Sequence, residues 1–449
     1  GMRFFVTTGN HDPALPLGHA KKNAHFLAAD GSRVTREDSC AGYVSQMECY
    51  ADFGFFPRKD DCYWESPFTS YTYDKYAYED ACRESVLGKR TYTLCDSLTA
   101  TDASYLVEPV DGLWLLAIDG GVYLPKEMKE GKWTYQGSSA GYNLVLKHKP
   151  FLLPWVRKVV EEARKRHKTL VAFSHYPLVD FNDGVSESVH RMWGDRRFDL
   201  HRVPEAEVSE AFLQAGLRLH FAGHMHVNDT GIWEGKDGKH LYNIQVPSIA
   251  TYVPAYKILT IESDEAFRVE TVTLDTVTGF DSLFPLYRAE YQSDSLRGHS
   301  PVWNKEILSA RTYGEFCDYQ FRDLVRLRFI PRDLPESWRA CLDFTGARML
   351  KAVSGEDKAN NVNWTGWCMK DMVLDVYRLR YAERLALKDI PETRLAAYRY
   401  LFERARISSL RSAEVEIVNG LGTLFLAFLD GEPCQNFVID LEKDTITGD

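Results

Sequence analysis

Short apolar runs that end in Gly, Asp, Asn or His set the rhythm of the chain up to about residue 275. Leu113-Trp114-Leu115-Leu116-Ala117-Ile118, Thr169-Leu170-Val171-Ala172-Phe173 and Arg218-Leu219-His220-Phe221-Ala222 are too short for buried helices, so each predicts a buried strand. Phe4-Phe5-Val6 predicts another, ending just before Gly9. Between these runs the period changes. From Pro154 to His167 the residues Val156, Val159, Val160 and Ala163 share one face, and Pro154 sits in the first turn, which predicts a helix. Glu205–Gln214 predicts a second helix. Strand and helix in alternation argue for a layered α/β domain. From Leu241 to Leu274 the pattern alternates and is rich in β-branched residues, so two or three antiparallel strands are expected to close this part.

Residues 13–110 break the rhythm. They are crowded with aromatic residues, as in Tyr50-Ala51-Asp52-Phe53-Gly54-Phe55-Phe56, and predict a long insertion, mostly loop with short helices. Loops of that length either build a lid or pocket wall or pack as a satellite core. A boundary is expected near 276–300, through Thr278-Gly279, Pro285 and Ser293–Ser300, separating a domain at 1–280 from one at 290–449. In the second, Val373–Lys388 and Pro391–Ile407 read as helices, the latter with a stripe of Leu395, Tyr398, Phe402 and Ala405. Val415–Phe428 and Phe437–Leu441 read as strands, giving a smaller mixed α+β domain.

Composition narrows the class. A chain of 449 residues is too long for one ordinary core. The net charge of −10 disfavours a broad phosphate-backbone footprint, so nucleic acid is not an expected partner. No apolar run approaches the roughly 20 residues that span a bilayer. Met2-Arg3-Phe4-Phe5 is not a secretory leader, and the compartment stays open between cytoplasm and periplasm or export after removal of a signal. The nine cysteines include no CxxC pair, which argues against a zinc knot. They fit scattered thiols, or one or two disulfides in an exported protein.

The chemistry-bearing motifs all follow apolar runs. They are Gly9-Asn10-His11-Asp12, Ser174-His175-Tyr176-Pro177 and Gly223-His224-Met225-His226. Loops after parallel strands converge at one sheet edge. Imidazole nitrogens and amide oxygens suit zinc, manganese or iron. In an extended segment, His224 and His226 aim to the same side. Asp119, at another strand end, is a weaker candidate. Asn228 and Asp229 read as turn formers, and His19, His25, His190, His201 and His220 as ordinary surface or packing residues.

In their order, each behind a predicted strand, these three motifs resemble the calcineurin-like metallophosphoesterase family over about residues 3–275, with 13–110 as an atypical insertion. The resemblance implies a metallophosphoesterase-like β-sandwich flanked by helices. It implies that Asn10, His175 and His224 ligate one metal and His226 the other. His11 acts near the leaving group as acid or donor, with Asp12 orienting it. The activity implied is hydrolysis of a small phosphomonoester or phosphodiester by a metal-activated hydroxide, with manganese, iron or zinc as the ion. The family's opening Asp-x-His and Gly-Asp-x-x-Asp motifs cannot occur before residue 9. Asp199-Leu200-His201 is an Asp-x-His in the wrong order and with no strand ahead of it. The expectation is therefore an incomplete centre holding one metal or none. The missing ligands would come from an upstream segment or a partner chain. The alternative is a degenerate domain that binds a ligand or protein without catalysis.

Overall fold

The computed structural model describes residues 2–11, 22–28, 32–38, 42–95, 98–129, 132–136, 140–296, 298, 302–356 and 362–448. Seven strands form its main sheet. They are β1 (Tyr63–Glu65), β2 (Tyr105–Val110), β3 (Leu113–Ile118), β4 (Thr169–Ser174), β5 (Leu219–Ala222), β6 (Asp229–Glu234) and β7 (His240–Gln245). Across the sheet the order is β6-β7-β5-β4-β3-β2-β1. The central β3, β4, β5 and β7 are parallel, and the edge pairings are antiparallel.

A parallel centre must be covered on both faces. On one face α1 (Leu152–Lys165) and α2 (Ala206–Gln214) pack Val156, Val159, Val160 and Phe212 with Trp114, Leu116 and Ala172. On the other lies a second, antiparallel sheet of β8 (Ala255–Ile261), β9 (Ala266–Thr273), β10 (Asn436–Asp440) and β11 (Thr445–Gly448). Its Phe267, Val269, Phe437 and Ile439 meet Val171, Leu219, Tyr242 and Ile244. Alternate residues of one strand thus serve two cores: Ala172 faces the helices and Val171 the second sheet. Each large apolar side chain so buried contributes about 1.5–3 kcal/mol.

Several expectations change here. Phe4-Phe5-Val6 forms no strand. The Val6 N–H donates to the Phe53 carbonyl at 3.0 Å, and Phe5 and Val6 pack on a small core around Trp64 and Tyr105. The stretch 13–110 is more than an appended loop, because β1 and β2 extend the main sheet and Tyr63 stacks on Trp114 at 5.9 Å. Of the Leu241–Leu274 strands, β7 is parallel to β5; only β8 and β9 form the expected antiparallel pair. Cys49 is disulfide-bonded, and the other seven described cysteines are free thiols.

After residue 280 the chain is mainly helical: α3 (Tyr313–Leu324), α4 (Gly346–Ser354), α5 (Met369–Ala382), α6 (Glu392–Ile407) and α7 (Ala413–Leu429). The expected strand at Val415–Phe428 is α7. Ser412 caps it through its hydroxyl, Glu414 and Glu416 favour its positive N-terminal end, and Val415, Val418, Leu421, Phe425 and Phe428 bury one broad face. Gly420 and Gly422 let Trp338 and Phe402 approach closely; a Cβ there would lie 2.2 and 2.8 Å from those rings. Propensity suggested a strand, but packing selected a helix. The core of these helices also takes in Phe181, Val189, Met225, Val227 and Tyr252 from the sheet's loops. The expected Phe437–Leu441 strand exists as β10, but with β11 it returns to complete the second sheet. Residues before 280 and after 435 therefore share one sandwich. Among the described residues no helix is long and apolar enough to cross a membrane.

Candidate metal centre

The loops after β4 and β5 bring three predicted ligands together. His175 follows the last residue of β4, and the Gly223 N–H donates to the His175 carbonyl at 3.0 Å, tying the two loops side by side. His175 Nε2 lies 2.9 Å from Asn10 Oδ1 and 3.0 Å from His224 Nδ1. Both rings contact Tyr176, each at a centroid distance of 4.9 Å. One ring nitrogen has a single in-plane hydrogen or lone pair, so it cannot serve two such neighbours equally well as an ordinary hydrogen bond. Ligands about 2.1 Å from a common ion, at right angles, would stand about 3.0 Å apart. The donor set and its spacing therefore fit a divalent ion.

His224 and His226 both have left-handed backbones, with φ of 63° and 59°. This replaces the extended segment expected from their spacing. Non-glycine residues in this region carry strain that the surrounding structure has to hold. His226 is exposed at the rim. Partial burial, then the Arg202 guanidinium, then His11 push its pKa below the ordinary value. The predicted residues thus divide into an inner trio, Asn10, His175 and His224, and an outer pair, His11 and His226, with the charge of Arg202, itself 3.8 Å from Asp199, acting on His226. Asp12 lies outside the described residues.

Behind the trio stands a supporting network. Ser174 Oγ lies 2.9 Å from His220 Nε2, and His220 Nδ1 lies 2.8 Å from Asn243 Oδ1. That oxygen also accepts the Leu178 N–H, which fixes the amide orientation and assigns the His220 proton to Nδ1. Burial pushes His220 down to about 4, so it is a neutral packing histidine, as its sequence context suggested.

Asp119 is not part of the trio but anchors the chain that leads to it. Its carboxylate takes the Ala103 and Gly121 N–H groups, an ion pair with Lys149 at 2.8 Å and a long contact from Thr8 Oγ1 at 3.5 Å. Lys149 also reaches Asp102 at 2.8 Å. Thr8, two residues before Asn10, is held more closely by the Tyr43 hydroxyl at 2.9 Å, so Tyr43 and this buried ion triad together flank the chain that leads to Asn10. The Asp199 carboxylate is held by Arg332 at 3.0 and 3.1 Å, so the Asp-x-His at 199–201 supplies no ligand.

Sequence reasoning missed Arg202, Lys149 and Asp102. Nothing in their local pattern distinguishes them from surface charges; Asp119 at a strand end was the one available signal. A cavity of about 490 Å³ lined by Tyr252, Trp303, Phe316, Phe321 and Leu324 contains none of the histidines. Comparison of the chain with family models finds no match, and comparison with curated proteins finds none.

Proposed function

We propose that this chain is a calcineurin-like metallophosphoesterase in design, holding a divalent ion on Asn10, His175 and His224 and acting on a small phosphoester. The observation that carries the reading is that Asn10 Oδ1 and His224 Nδ1, from segments 165 and 49 residues away from His175, both lie within 3.0 Å of His175 Nε2. Layering of helices, main sheet and second sheet supports it. A divalent ion held there would polarise a phosphoryl oxygen and lower the pKa of bound water. The residues would do the rest. The low pKa of His226 keeps its imidazole neutral near pH 7, free to ligate or accept a proton. Arg202, whose charge acts on His226, can donate paired hydrogen bonds to a phosphate. His11, exposed in the turn after Asn10, is the donor to the leaving group.

A second reading, binding without catalysis, is favoured by one observation. The only described group of three or more His, Cys, Asp or Glu side chains with metal-ligand spacing lies elsewhere, so no described carboxylate completes the trio. One experiment separates the two. The purified chain, loaded with manganese, is assayed for metal content and for hydrolysis of bis(p-nitrophenyl) phosphate, beside H175A. Turnover that needs manganese and His175 supports the enzyme. Metal bound through His175 without turnover supports the binding protein. No metal held by His175 overturns the enzyme and favours binding of a ligand or partner without a metal.

A further inference from the structure

A second polar cluster lies where the helical part meets the sheet. Asp183 is in the loop between β4 and the helix Ser186–Trp193, Asp229 is the first residue of β6, and Glu383 directly follows α5. One carboxylate oxygen from each lies within 4.8 Å of the others. Asp229 and Glu383 are only 2% and 3% exposed. Neither Asp229 oxygen, nor Oε1 of Glu383, meets a donor with full hydrogen-bond geometry among the described residues; what bears on them is the Thr230 N–H at Asp229, the Cys434 thiol at Glu383 and the two carboxyls on each other. Backbone bonding brings the elements together: the Asn228 N–H donates to the Tyr381 carbonyl at 2.9 Å.

Buried carboxylates with so few donors are costly, since each ionised oxygen loses its water and regains little. They must hold protons or a cation. The groups facing them are mostly acidic: Asp180 and Glu432 act on Asp183, and the Cys434 thiol adjoins Glu383. Burial, then the charges of Asp229, Asp180 and Glu432, push Asp183 up to about 9; burial, then Asp183, pushes Glu383 up to about 8 against the hydrogen bonds from Asp229 and Cys434 and the charge of Lys257. Among the described residues, Arg380 acts on Asp180, and the cation that acts on Asp229 and Glu383, Lys257, is already committed. Its ammonium donates to Asn228 Oδ1 at 2.7 Å, Thr271 Oγ1 at 3.0 Å and the Cys434 carbonyl at 2.7 Å.

The geometry points to a divalent-cation site formed by Asp183, Asp229 and Glu383, taking a hard ion of the calcium, manganese or magnesium type and pinning the helical part to the sheet. All three donors are oxygens, the set that hard cations prefer. Oxygens on opposite sides of calcium stand about 4.6–5.2 Å apart, a span the cluster does not exceed. The site is separate from the imidazole trio and does not depend on the phosphoesterase reading. Its effect on the trio would be indirect: Asp229 follows His226 by three residues, so the pinned strand carries the histidine loop with it.

The test uses the full chain stripped with chelator, then titrated with calcium, manganese or magnesium chloride and followed by calorimetry and by thermal unfolding. One of these ions is expected to bind and raise the unfolding midpoint in wild type, and the rise should persist in the H175A/H224A variant. Binding should weaken at least tenfold in E383Q and in D229N. A rise that vanishes in H175A/H224A but persists in E383Q and D229N overturns the site, as does no response to any of the three ions. Should the variants fail to fold, crystals of wild type grown with manganese decide through anomalous scattering. A peak among the three carboxylates supports the site, and no peak there overturns it.

Discussion

Two polar clusters flank the loop after β5, and they differ in almost every physical respect. The trio of Asn10, His175 and His224 is built from imidazole and amide donors beside exposed His11 and His226. The Asp183, Asp229 and Glu383 cluster is built from carboxylates, is largely sealed, and lies at a junction between layers. Imidazole can ligate while neutral, so the first cluster is inexpensive to assemble without an ion. A carboxylate ligates as an anion, so the second is costly until its charge is met. The difference suggests two roles: an open site suits exchange of substrate, and a closed acidic one suits a structural ion.

The comparison can be broken by mutation, most strongly at the open cluster. H224A removes one of three donors and should lower manganese affinity, and any manganese-dependent turnover, by about 100-fold or more. Its denaturation midpoint should hardly change. Metal analysis and a denaturant titration check both halves; equal metal content in the variant would refute the site.

Stability should respond next at the support behind Asn10. K149M leaves Asp102 and Asp119 buried without their shared cation, a loss of about 3–5 kcal/mol. Denaturant unfolding reads it, and metal affinity should fall with it because the Thr8 anchor loosens. Unchanged metal affinity in a folded K149M would detach that triad from the site.

A pH effect comes third. His220 is held at about 4 in the folded protein, below its ordinary value of 6.5. The unfolded chain therefore binds the proton first. The stability this contributes is present above about 6.5 and is lost as pH falls toward 4, at most about 3 kcal/mol. Denaturant midpoints across pH 4–7 should slope accordingly, and less so in H220Q.

The smallest effect concerns the rim. R202Q should raise the pKa of His226 toward its ordinary value, because the guanidinium lowers it. It should also weaken inhibition by inorganic phosphate several-fold, roughly 1 kcal/mol, as expected for one charge-assisted hydrogen bond in a partly solvated site. NMR titration of the His226 ring and phosphate inhibition curves measure the two.

How much of this could be read beforehand varied with the range of the interactions. The strands at 113–118, 169–174 and 219–222 and the helices at 152–165, 206–214 and 392–407 were legible, because their apolar period is a local property. Asn10, His175 and His224 were legible as candidates because each follows an apolar run. The helix at 413–429 was not, since its β-branched residues favour a strand until Trp338 and Phe402 pack against its glycines. Nor was the left-handed backbone at His224 and His226, which spacing alone misread as extended.

By itself the amino-acid order determined which segments alternate, which bury one face, and where nitrogen and oxygen donors follow strands, since these depend on neighbours a few positions away. Only the folded chain decided that residues 436–448 rejoin the sandwich across the helical part. It alone brought Asp183, Asp229 and Glu383 to one point, because Asp229 in isolation reads as a turn former and Glu383 as one charge among many. Burial and convergence are properties of packing between distant segments, and no local pattern carries them.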